Sequence, residues 1–132
     1  MPQWSDKYKL NHDVIDPQHQ ELFRLANFTY NLDPKTTTKE EIATLFKAFY
    51  KYMDVHFKNE EAYMASISYP LLKEHKKLHD DIISNLNTIL KTKKTIQELR
   101  ESIKYAAQKW LAEHILEHDV KIIAWSKTSI EQ

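Results

Sequence analysis

EEIATLFKAFYKYMDVHFKNEEAYM, residues 40 to 64, decides the fold. Its side chains Ile42, Leu45 with Phe46, Phe49 and Met53 recur every three or four positions, the period of one face of an α-helix. Continued at the same steps, that line reaches His56, Glu60 and then Met64. The helix therefore turns an imidazole and a carboxylate toward a core that normally excludes charge. The explanation has to come from the rest of the chain.

Thr38, with Glu41 three residues on, has the capping-box spacing that starts this helix, and SISYP (66–70) closes it, giving a helix over about 38–64. Upstream, Asp16 and Pro17 open a helix over about 17–32: an aspartate can cap, and proline suits the first helical position because the N–H it lacks would be unpaired there. DPKTTT (33–38) is a turn. Downstream, a third helix runs over about 70–90, KTKK (91–94) is a solvated loop, and Thr95 with Glu98 repeats the capping box for a fourth over about 95–118. Connections this short favour antiparallel neighbours, so the expected fold is all-α, an antiparallel up-down-up-down four-helix bundle. Residues 1–15, with Trp4, Tyr8, Leu10 and Ile15, form an extended N-terminal arm packed along it, and 120–132 is a tail without a clear signal.

The bulk properties agree with a single domain over 1–132. Lys plus Arg is 19 and Asp plus Glu is 19, so no net field draws nucleic acid or an anionic membrane. Cysteine is absent, which removes disulfides, thiolate metal sites, iron–sulfur clusters and cysteine nucleophiles together. The lack of glycine excludes phosphate loops and dinucleotide fingerprints and leaves few means of making tight hairpins. No apolar run approaches the ~18 residues of a membrane span, and MPQWSDKYKL has no signal-like apolar region, so the expected compartment is the cytoplasm.

The other helices repeat the anomaly of the second. On the third, Leu72, His75, His79, Ile82, Leu86 and Ile89 keep unbroken three-four spacing; on the fourth, Ile96, Leu99, Ile103, Ala107 and Trp110 lead into His114; on the first, His19 shares its line with Leu22, Ala26 and Thr29. A lone core histidine is usually a hydrogen-bonded packing residue. Six such placements on lines anchored by aliphatics would arise by chance on the order of once in a few hundred, if about three in seven positions face inward. Depth along the bundle is a second check. His19 and His75/His79 lie near helix starts, while His56/Glu60 and His114 lie near helix ends, so antiparallel packing collects them at one end. An unpaired carboxylate there would cost several kcal/mol, and a metal neutralises it. His56/Glu60 and His75/His79 are each four apart, about 6 Å of rise and ~40° of rotation, which lets both side chains reach one centre or bridge two.

Zinc sites usually stop at four ligands, and calcium and magnesium want oxygen donors. A nitrogen-rich surplus suits two transition-metal ions with carboxylates between them. Ferritin-like di-iron bundles use Glu-x-x-His pairs, and no histidine here has a glutamate three residues before it. A haem would leave most of these histidines unexplained.

In order, DPQH (16–19), HFKNEE (56–61), HKKLH (75–79) and WLAEHILEHD (110–119) resemble the signature of the hemerythrin family, in particular its single-domain bacterial members, the bacteriohemerythrins. The likeness spans about residues 4–120. It implies a four-helix bundle with a non-haem di-iron centre that binds O2 reversibly. By that resemblance His75, His79 and His114 complete one iron, His19 and His56 hold the other with a position left open, and Glu60 and Asp119 bridge the two. The implied cofactor is two iron ions, Fe2+ or Fe3+, with an oxo or hydroxo bridge. The family's apolar O2 pocket falls at Leu22, Phe57, Leu111 and Ile115, with Trp110 nearby.

Asp119 comes from the resemblance alone. It follows His114 by five residues, ~140° around an ideal helix, and the inward stripe selects Glu117 or His118 instead. If Asp119 is a ligand, a π-bulge or loosened turn between 114 and 119 has to swing it inward, and unbroken i→i−4 bonding there would refute that. His118 reads as solvent-facing or supporting, Glu61 as a rim residue ~100° from Glu60, and His12 as arm surface or packing.

The expected function is reversible O2 binding, as carrier, store, scavenger or sensor, rather than enzyme chemistry. The rival is a di-iron enzyme reducing O2, peroxide or nitric oxide; it would need a proton donor near the open iron, and the inward lines offer none. A metal-sensing domain would need a separate output partner. O2 is the expected partner, with neither nucleic acid nor membrane, and any electron donor is left unidentified.

Overall fold

The computed structural model describes residues 1–131, with side chains through Thr128. Among these residues the chain is helical without a strand: one 3-10 turn (Asp6–Tyr8), then α1 (Ile15–Tyr30), α2 (Lys39–Ser66), α3 (Leu72–Thr92) and α4 (Ile96–Tyr105). The last rod continues unbroken through wide π turns at Ala106–Glu113 and Ile115–Asp119 and returns to α geometry as α5 (Val120–Glu131). α1 lies against α2 and α4, and α2 lies against α3 and, across the bundle, α4. No helix among the described residues is long and apolar enough to cross a membrane.

Both capping boxes form. The hydroxyls of Thr38 and Thr95 accept the amides of Glu41 and Glu98 at 3.1 and 3.0 Å, and the two glutamates accept back from the threonine amides. Each box satisfies two amides that a helix start would otherwise leave unpaired. Between α2 and α3, Ser68 takes a left-handed backbone (φ 53), and α3 starts at Leu72, after Pro70.

The start of α1 departs from expectation. The helix begins at Ile15, so Asp16 and Pro17 already lie inside its first turn. His12 does the capping: its Nδ1 accepts the amides of Val14 and Ile15, both at 3.1 Å. Asp16 instead faces back to the arm and accepts the amides of Leu10, Asn11 and His12 at 2.9, 2.8 and 3.3 Å. Asn11 turns the backbone with φ 60, a region asparagine tolerates better than most residues. The arm is thereby fastened to α1, with Tyr8 and Trp4 against Phe23 at centroid distances of 4.8 and 6.1 Å.

The far end corrects the sequence reading too. Residues from 120 were expected as a tail, and the helix was expected to stop near 118; the chain stays helical through Glu131, and Gln132 lies outside the described residues. Ile122 packs with Met64 and Tyr69 in a small second core, and the Trp125 indole N–H donates to the Ile67 carbonyl at 2.8 Å. These are tertiary contacts to the α2–α3 loop, and local sequence carries no sign of them.

The main core is dry at one end of the bundle. Ile42, Phe46, Phe49, Leu86 and Ile103 are fully enclosed there. Stability should therefore answer far more to this layer than to the caps. Phe49→Ala is expected to cost roughly 3–5 kcal/mol and Thr38→Ala about 1 kcal/mol. Urea unfolding of the two variants checks this; comparable losses would contradict it.

Candidate metal centre

Seven polar side chains meet at the opposite end, and every one is buried: His19 from α1, His56 and Glu60 from α2, His75 and His79 from α3, His114 from the junction between the two π segments and Asp119 from the end of the second. They form two overlapping groups of possible ligands. Glu60, His75, His79, His114 and Asp119 make one, and His19, His56, Glu60 and Asp119 the other; within each group the donor atoms lie within 4.8 Å of one another.

The two carboxylates are shared in a particular way. Glu60 Oε1 stands 3.0 Å from His75 Nε2 and 3.2 Å from His79 Nε2, while its Oε2 stands 3.4 Å from His56 Nε2. Asp119 Oδ1 stands 3.1 Å from His75 Nε2 and 3.2 Å from His114 Nε2, while its Oδ2 stands 3.3 Å from His19 Nε2. Each carboxylate thus turns one oxygen toward the His75, His79 and His114 group and the other toward the His19 and His56 pair. His75 and His114 also face each other nitrogen to nitrogen at 3.1 Å.

A wide turn brings Asp119 in. The Val120 amide bonds to the Ile115 carbonyl, five residues back, and Ile115–Asp119 is π-helical. The π geometry begins earlier than a single bulge would, at Ala106. Glu117 and His118, which the stripe alone selected, are exposed and half-exposed, with an Nε2–Oε2 distance of 3.7 Å between them.

The residues present fit a metal. Both oxygens of Glu60, Oδ1 of Asp119, Nε2 of His79 and Nδ1 of His19 are buried without a hydrogen-bond partner, a concentration that native cores avoid. Two donors at right angles around one ion at about 2.1 Å would stand roughly 3.0 Å apart, close to the contacts just given. The outer nitrogens are held as well. His56 Nδ1 donates to Gln18 Oε1 at 2.7 Å and His79 Nδ1 donates to Glu61 Oε2 at 2.9 Å, leaving each Nε2 with its lone pair directed inward. The sequence lines could not single out Gln18, whose role depends on standing next to His19 in DPQH while facing α2.

Charge inside the cluster is strongly biased. Burial and the Asp119 charge push Glu60 up, but the close imidazoles of His56, His75 and His79 outweigh both and hold its carboxyl well below the usual carboxylate range. Burial also pushes Asp119 up, and His114, His19 and His75 more than reverse it. Burial pushes His75 down, yet Asp119 and Glu60 raise it to about 9. Burial lowers His56, and its partners recover only part of that.

The apolar candidates divide. Leu22, Phe57, Leu111 and Ile115 are fully enclosed, and the Phe57 ring stacks on His79 at 3.7 Å and 3°. Trp110 stands apart: it is half-buried, edge-on to Tyr105 at 5.2 Å, and lines surface clefts.

In the metal-free chain these shifts set opposite slopes of stability with pH. Glu60 and Asp119 ionise more readily folded than unfolded, so their contribution is present above about pH 4 and fades as pH falls. His75 holds its proton more tightly when folded, so its contribution is complete below 6.5 and is lost as pH rises through about 9. His56, lowered by burial, loses its contribution as pH falls below about 6.5, so the thermal midpoint of the metal-free chain is expected to peak at about pH 6 to 7 and decline on both sides. Calorimetry across that range tests it, and a midpoint independent of pH above neutrality would contradict the His75 shift.

Comparison with known proteins agrees with this geometry. The family model described as the hemerythrin HHE cation binding domain matches residues 10–125. A bacteriohemerythrin of Clostridium acetobutylicum is 33% identical over 129 residues, covering 91% of this chain and 97% of the relative. A bacteriohemerythrin of Campylobacter jejuni is 26% identical over 117 residues, covering 88% of each chain. A myohemerythrin of Theromyzon tessulatum is 30% identical over 119 residues, covering 90% and 88%. Matched along nearly its whole length, with its buried histidines and carboxylates drawn to one end of a helical bundle, the chain belongs to the hemerythrin family.

Proposed function

We propose that the chain binds O2 reversibly at a non-haem di-iron centre, with His75, His79 and His114 on one ion, His19 and His56 on the other, and Glu60 and Asp119 between them. The observation that carries this reading is the division of each carboxylate, one oxygen toward each histidine group. A nitrogen-rich mixed donor set suits iron, and membership of a cation-binding family favours a resident ion. An oxo or hydroxo bridge between the ions is part of the same reading. A ferrous pair held there supplies the two electrons with which O2 can be taken up and released.

The chain's own residues make that exchange controllable. The His19/His56 side has two histidines against three, so it is one protein donor short, which is the room O2 requires. Phe57 lies against His56, His79 and His114, and with the enclosed Leu22, Leu111 and Ile115 it would supply the hydrocarbon that excludes the water and protons driving irreversible oxidation. Gln18 and Glu61 fix the orientation of His56 and His79 through their outer nitrogens. Carrier, store, scavenger and sensor roles all draw on this chemistry.

A second reading, a di-iron enzyme that reduces O2, peroxide or nitric oxide, gains one observation. Tyr69, in the α2–α3 loop, is buried with its ring 6.5 Å from that of His75. It is a phenol that the inward lines did not reveal. It lies beside the three-histidine group, however, and not on the side that is short of a donor, so the binding reading is preferred.

Anaerobic reconstitution with ferrous iron, followed by addition and removal of O2, tests the choice. About two irons per chain and a reversible visible absorption change are expected; irreversible bleaching, or steady O2 consumption with a reductant, would favour the enzyme. Leu111→Asp is expected to hasten autoxidation by admitting water. An unchanged rate would count against the role given to Leu111.

A further inference from the structure

The centre is not equally closed on all sides. His19, His56, His79 and Asp119 are each 1 % exposed and Glu60 is at 0 %, whereas His75 retains 3 % and His114 5 %. The opening at His114 coincides with a cleft of about 220 Å³ between α3 and the π segments, whose lining includes Asp81, Asn85, Glu117, His118 and His114 itself. The cleft therefore runs from solvent to a proposed ligand.

His118 occupies the wall of this cleft in a position that nothing so far explains. Its side chain is 31 % exposed, and its ring lies 5.1 Å from that of His114 and 6.1 Å from that of His75. It is too far out to belong to either ligand group. It is nevertheless within one ring's reach of both histidines that carry the remaining exposure. Glu117 approaches its Nε2 to 3.7 Å, and Asp81 lines the same cleft. The cationic residue of the lining, Lys109, is drawn to Glu113 at 3.2 Å. The cleft thus presents carboxylates and an imidazole to solvent, donors that suit a hydrated divalent transition metal.

We propose that iron reaches and leaves the centre through this cleft, with His118 as a transient ligand that passes it to His114 and His75; the inference rests on the di-iron reading of the site. His118 replaces one water on the incoming ion, and the inner histidines then replace His118. Only ligands exchange, so no electron moves and no oxidant is needed. Glu117 and Asp81 raise the local concentration of cations at the mouth. A residue that acts only along the path lowers the barrier in both directions and leaves the final equilibrium unchanged. A ligand or a structural support would shift that equilibrium. This difference separates the port from the alternatives.

The test uses cobalt(II), whose visible bands report its coordination, mixed with the metal-free chain in a stopped-flow instrument. His118→Ala is expected to slow uptake, and to slow stripping of the loaded chain by a chelator, each by about tenfold. The final stoichiometry and spectrum should match the unsubstituted chain. Glu117→Gln should slow uptake to a smaller degree and remove part of its dependence on ionic strength. Because His118 is partly exposed, its loss should leave the helical circular dichroism unchanged. Unchanged rates in His118→Ala would overturn the port, and so would an altered final spectrum or stoichiometry, which would make His118 part of the resting site. If the unsubstituted chain takes up no cobalt and no ferrous iron, the di-iron reading fails and the port fails with it.

Discussion

Two carboxylates with no access to water organise the molecule. Glu60 and Asp119 sit where the low dielectric would cost several kcal/mol for each unpaired charge, so the chain cannot be folded around them unless polar partners surround both. Five imidazoles from all four directions do this, and each has to arrive from a different helix or helix turn. The antiparallel order, the lengths of α2 and α3, and the departure of the last rod from α geometry can all be understood as ways of meeting that demand. A site that is costly when empty favours whatever fills it, so a metal held there would couple its binding to folding.

The rest of the bundle carries the stability that the polar end gives up. Phe46, Phe49, Leu86 and Ile103 form a dry layer remote from the cluster, and the arm adds Tyr8 and Trp4 over Phe23. The arm is tied by polar means: three of its amides converge on Asp16, and the His12 ring caps the helix that delivers His19. The first turn of α1 therefore sets the height and direction of one proposed ligand from outside the cluster.

Much of this could be read from sequence because it follows a period. Ile42, Phe46, Phe49 and Met53 define a line, and a line extrapolates to His56 and Glu60 with no further information. The two capping boxes are equally local, and both formed. What escaped depended on contacts distant in sequence or on departures from ideal geometry. Asp16 was read as a cap because an aspartate before a proline usually is one; here the competing acceptor, His12, lay four residues upstream. The helix beyond 119 is held by Ile122 and Trp125 against the α2–α3 loop, which no local pattern announces. Tyr69 and Gln18 were invisible for a related reason, one standing in a loop and the other off the inward line. Asp119 is the instructive case: periodicity selected its neighbours, and only the resemblance pointed to it, because the wide turn that brings it inward breaks the rule on which periodicity relies.

That wide turn also reaches past the cluster. From Leu99 the enclosed positions Ile103, Ala107, Leu111, Ile115 and Asp119 follow one another at steps of four, and Ile122 and Ser126 continue the same face. On an ideal α-helix those steps of four would drift ~200° around the rod, so the wide turns over Ala106–Glu113 and Ile115–Asp119 are what keep the series facing inward. The wide turns that hold Asp119 toward the histidines also deliver Ile122 over Met64 and Tyr69. Tightening them to α geometry would unmake both alignments at once, so the small second core and the candidate metal site share a single register.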